Sequence, residues 1–74
     1  MTREVGIRGE MIRLGELLKL AGIAGTGGEA KALLASTAVL VNGEPDNRRG
    51  RQLRAGDEVQ VGEERLRVVA GRAP

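Results

Sequence analysis

Between residues 37 and 39 the spacing of apolar side chains changes from that of a helix to that of a strand, which restricts the chain to mixed folds. Upstream, Leu14, Leu17, Leu18 and Ala21 recur at i, i+3, i+4 and i+7, with Glu16 and Lys19 on the outer side and Gly22 as a stop signal. A second helix is announced by "TGGE" at 26 to 29, a capping box in which Thr26 accepts from the Glu29 backbone N–H while Glu29 reaches back. Ala30, Leu33, Leu34 and the small Thr37 repeat the helical spacing. Two short helices joined by "GIAG" make a helical hairpin whose apolar faces need a sheet to cover them.

Downstream the period is two. Val39 and Val41 flank Leu40, and "NG" at 42 to 43 signals a two-residue hairpin turn. Pro45 has no N–H for a ladder, so residues 44 to 54 read as an edge strand or extended loop. "AGDEVQV" predicts a turn at Gly56 and Asp57 and a strand with Val59 and Val61 inward. "GEE" then leads to a last strand with Leu66 and Val68 inward and Arg65 and Arg67 outward. In "REVGIRGEMI" at 3 to 12, Val5, Ile7 and Ile12 are candidates for one more short strand against the core, and the tail 71 to 74 is expected to fray. The expectation is one α+β domain over 1 to 74: a two-helix hairpin packed on a small, mostly antiparallel sheet.

A chain of 74 residues without Cys or His has no disulfides, no zinc site of the usual ligand types, no thiol nucleophile and no imidazole acid–base chemistry. Only Asp, Glu, Lys and a few hydroxyls remain, in no paired arrangement, so a catalytic role is not expected; nor is a cofactor or small-molecule substrate. "GTGGEA" at 25 to 30 formally matches a dinucleotide fingerprint, but that fingerprint needs a preceding strand, and a phosphate-binding loop needs Gly and Ser or Thr where Ala30 and Ala32 flank Lys31. No apolar run at the start resembles a signal peptide, and none approaches the roughly 18 residues needed to span a bilayer. A cytoplasmic monomer is expected.

Charge is distributed unevenly. The formal net charge is only +2, yet Arg48, Arg49, Arg51 and Arg54 fall within seven positions that contain no acid. Like charges so close require solvent, internal partners or an anion. Two accounts compete: pairing with Glu44, Asp46, Asp57 and Glu58, or binding of a polyanion. Ten of the twelve basic residues are Arg, as bidentate phosphate recognition favours and as a GC-rich coding sequence would also produce. With no Phe, Tyr or Trp there is no platform for stacking unpaired bases, so a nucleic-acid partner would be held through phosphates and shape. The rival from another class is an interaction module that docks an acidic protein through residues 44 to 54.

Residues 12 to 61, "IRLGELLKLAGIAGTGGEAKALLASTAVLVNGEPDNRRGRQLRAGDEVQV", resemble the S-four RNA-binding domain, or alpha-L motif. The resemblance is carried by Arg13-Leu14 opening the first helix, Thr26 in the capping slot, Ala30 four residues on, "VLVNG" at 39 to 43 and the Gly56-Asp57 turn. "LLKLAGI", "GGEAK" and "VNGEPDNRRGR" are similar to the small single-domain YaaA-like bacterial proteins. Gly15, Gly27 and Thr37 depart from residues frequent in that family. The resemblance implies a non-enzymatic protein that binds structured RNA, ribosomal RNA or an assembly intermediate, on a face formed by the helical hairpin and the following β-loop. Carried over by position, that face includes Arg13, Lys31, Asn42, Arg48, Arg49 and Arg51; Arg54 completes the arginine cluster.

Overall fold

A computed structural model describes residues 2–71. The chain runs β1 (Thr2–Ile7), β2 (Ile12–Arg13), α1 (Leu14–Leu20), α2 (Gly27–Ser36), β3 (Val39–Val41), β4 (Glu44–Pro45), β5 (Gln52–Leu53), β6 (Glu58–Val61) and β7 (Glu64–Ala70). Five strands form one sheet in the order β1-β7-β6-β3-β4, while β2 and β5 pair separately. All ladders are antiparallel except β1 with β7, which run parallel with Val5 opposite Val68. Of the expected tail, residues 72 to 74 lie outside the described residues.

Local chemistry accounts for the element boundaries. At the end of α1, Gly22 takes φ +77° and its N–H donates to the Lys19 carbonyl, while the Ile23 N–H reaches the Leu18 carbonyl. These two bonds close the helix in a Schellman motif and absorb two carbonyls that would otherwise lack partners. Thr26 caps α2 as expected, accepting from the Glu29 N–H at 3.1 Å. Glu29 reaches one residue further back than a capping box requires, to the Gly25 N–H at 2.7 Å. Asn42 and Gly43, at φ 51° and 87°, form the two-residue turn that sets Val41 opposite Glu44. Pro45 lies on the edge strand β4, where its missing N–H deprives no neighbour.

One buried cluster unites the elements. Val5 and Ile7 of β1, Leu14, Leu17 and Leu18 of α1, Ala30 and Leu34 of α2, and Val39, Val41, Val59, Val61, Leu66 and Val68 of the sheet all belong to it. Two members were not anticipated: Ala24, between the helices, and Leu53, which is fully buried. Leu53 also corrects the reading of residues 44 to 54 as one edge strand or extended loop. After Pro45 the chain folds back, and Gln52–Leu53 pairs with Ile12–Arg13 immediately before α1. Ile12 accordingly joins this small ladder rather than extending β1. Among the described residues no helix is long and apolar enough to cross a membrane.

Candidate nucleic-acid interface

The loop between β4 and β5 carries three of the four clustered arginines, and its shape is fixed at both ends. At the sheet edge the Asp46 N–H donates to the Val39 carbonyl at 3.0 Å. At the helix, the first two N–H groups of α1 bond to the loop: Leu14 to the Arg51 carbonyl at 2.8 Å and Gly15 to the Arg49 carbonyl at 2.9 Å. Helix starts leave such donors without intrahelical partners, and here the arginine loop supplies the acceptors.

Internal pairing explains two of the arginines. Asp46, whose side chain is 7% exposed, lies 2.8 Å from Arg48 Nη2 and 2.7 Å from Arg51 Nη1. It also accepts from the Arg48 Nε and from the Arg48 backbone N–H. These bonds, led by the Arg48 side chain and then its backbone N–H, hold the Asp46 carboxyl well below the usual carboxylate range against the opposing effect of burial. The pairing raises the Arg48 guanidinium further above its ordinary value. One carboxylate shared by two guanidinium groups leaves a net positive charge, and Arg48 remains 68% exposed. With five N–H donors on each guanidinium, both arginines keep donors beyond those that reach Asp46.

Arg49 takes a different course. Its side chain crosses the start of α1 and lines a cleft of about 340 Å³ together with Arg13, Gly15, Glu16, Lys19, Gly27, Ala30 and Gly50. Arg13 and Arg49 therefore meet in one depression between the starts of both helices. Glu16 is the acid in the cleft, and one of its oxygens accepts from the Arg13 backbone N–H at 3.1 Å. An adjoining hollow on the far side of Arg49 is lined by Lys31, Leu34, Ala35 and Asn47. Arg48, Gly50, Arg51 and Gln52 line a third, at the outer side of the loop. Five of the residues anticipated from the sequence, Arg13, Lys31, Arg48, Arg49 and Arg51, thus border three hollows, the second sharing Arg49 and the third sharing Gly50 with the cleft.

Asn42 and Arg54 sit elsewhere, around Asp57. The Asn42 side-chain amide donates to Asp57 Oδ1 at 3.1 Å, and its oxygen accepts from the Glu58 N–H at 2.9 Å. Asp57 Oδ2 accepts from the Arg54 backbone N–H at 2.8 Å. These bonds tie the β3–β4 turn to the β5–β6 turn. Lys19 was read only as an outer-face residue; its place in one cleft with Arg49 depends on where the loop docks, which no local spacing announces. The segment offered to an acidic protein in the rival reading is a folded loop whose carbonyls at Arg49 and Arg51 are already engaged.

Comparison with known proteins gives this geometry its family. Residues 5–69 match the S4 domain. Over 61 residues the chain is 52% identical to a "Probable ribosome maturation protein RlbA" of Bacillus subtilis (strain 168), a match that covers 82% of this chain and 86% of that protein. A domain match spanning nearly all the described strands, with two helices and a mostly antiparallel sheet, agrees with the order of motifs that the sequence displays. The chain belongs to the S4 domain family.

Proposed function

We propose that the protein is a non-catalytic RNA-binding domain that holds structured RNA, either ribosomal RNA or a ribosome-assembly intermediate, through its phosphates. The observation that carries this reading is the convergence of Arg13 and Arg49 on one cleft, with Lys31 beside Arg49 in the next hollow and Arg48 and Arg51 at the loop's outer side. Two helices and the ribbon after them present these cations on one rigid scaffold, because the loop is hydrogen-bonded to α1 rather than free. Phosphate contacts need only cations of this kind, and the absence of aromatic residues removes base stacking as the main source of affinity. The ribosome-maturation name of the Bacillus relative supports a ribosomal partner. Asn42 serves the shape of the ribbon in this reading, and Arg54 lies outside the cleft.

Salt dependence of binding tests the proposal. With about four phosphate contacts, log K for a fluorescent RNA stem-loop falls against log salt with a slope of roughly 3 to 4 in magnitude. Arg13→Ala and Arg49→Ala each lower that slope by about one unit. Slopes that stay at the parent value remove both residues from the interface.

A further inference from the structure

Gly15 is buried within the first turn of α1, where glycine weakens a helix relative to alanine and makes no side-chain contact with the core. Space explains it. A Cβ built at this position would stand 2.4 Å from Arg49 Cγ, 3.2 Å from Arg49 Cδ and 3.4 Å from the Arg49 carbonyl oxygen. The aliphatic stem of Arg49 therefore lies in the room that the missing side chain leaves. The Gly15 N–H meanwhile holds the Arg49 carbonyl, so backbone and side chain of one arginine are both seated on this glycine. Any larger residue at 15 collides with the stem near its root, where the side chain cannot swing clear without changing rotamer.

We propose that Gly15 is a positioning residue: it forms the seat over which Arg49 passes to bring its guanidinium into the cleft beside Arg13. The inference rests on the reading of Arg49 as a phosphate contact and adds a determinant that itself touches no RNA. Position 15 in this chain then sets whether the cleft, which Arg13 and Lys19 also line, holds three cations or two. The bond from the Leu14 N–H to the Arg51 carbonyl does not involve residue 15 and is expected to keep the loop docked when the seat is filled.

Two cycles over the same four proteins, the parent, Gly15→Ala, Arg49→Ala and the double variant, test this. In salt titrations with the fluorescent RNA stem-loop, Gly15→Ala is expected to lower the slope by about one unit, as Arg49→Ala does, and the double variant by no more than either. In RNA-free urea unfolding, alanine at 15 is expected to raise the midpoint when residue 49 is Ala, where helix propensity acts without the collision, and to do so less or not at all when residue 49 is Arg. An Arg49→Ala slope equal to the parent's overturns the phosphate reading. A Gly15→Ala slope equal to the parent's, losses that add to about two units, or additive urea midpoints overturn the role of Gly15 while leaving that reading in place.

Discussion

Asp46 holds the arginine loop through one carboxylate, and its ionisation makes that hold dependent on pH. Its carboxyl is held below the ordinary value of 3.8 in the folded protein, chiefly by bonds from the Arg48 side chain and backbone and then by Arg51. A carboxyl depressed by folding contributes stability that is complete above its unfolded value and is lost as pH falls through the folded one. Asp46→Asn is therefore expected to unfold at lower urea than the parent at pH 7, by about 1 kcal/mol once the exposure of Arg48 is allowed for. The gap should narrow as the pH is lowered from about 5 towards 2. Parallel pH profiles would show that the ion pairs contribute nothing. The sequence displayed four acids near these arginines, and composition had no means of selecting Asp46 from Glu44, Asp57 and Glu58. The selection follows from the Asp46 N–H bond to Val39, which fixes this residue at the edge of the sheet while the chain turns back.

At the scale of elements, legibility follows the length of the local pattern. Both helices, the Asn42-Gly43 turn and the inward sides of β3, β6 and β7 follow the apolar spacing because each is specified by residues within a few positions of one another. The β2–β5 ladder is two residues long on each side, and Leu53, flanked by Gln52 and Arg54, has too few neighbours to show any period. Parallel pairing of β1 with β7 joins opposite ends of the chain and leaves no local trace. Helix α2 illustrates the legible case in energetic terms. It begins with Gly27 and Gly28, each up to about 1 kcal/mol less favourable than Ala inside a helix, so its start depends on the Thr26 cap. Thr26→Ala is expected to cost about 1 kcal/mol and lower the melting temperature by about 4–8 °C. Amide exchange should accelerate in α2 more than in β6; equal acceleration in both would mean that the cap does not set the helix start.

Across the whole molecule, two sets of polar contacts divide the residues that the sequence marked for RNA. One set docks the arginine loop on α1 and brings Arg13, Arg49 and Lys31 to neighbouring hollows. The other, around Asp57, joins the β3–β4 turn to the β5–β6 turn through Asn42. The motif that makes Asn42 conspicuous in sequence is thus satisfied inside the fold: its left-handed backbone and both ends of its side chain are used for the turn. Asn42→Ala places a Cβ-bearing residue without a capping side chain at φ near +51° and removes two hydrogen bonds. The expected loss is about 2 kcal/mol by urea unfolding, with the salt slope for the RNA stem-loop unchanged under conditions where the variant is folded. Arg49→Ala should do the reverse, lowering the slope by about one unit with little change in the urea midpoint, because its exposed side chain makes no hydrogen bond within the described residues. A slope that fell for Asn42→Ala would extend the proposed RNA footprint from the helical cleft across the sheet edge to Asp57, and the proposed division between a binding set and a folding set would be lost.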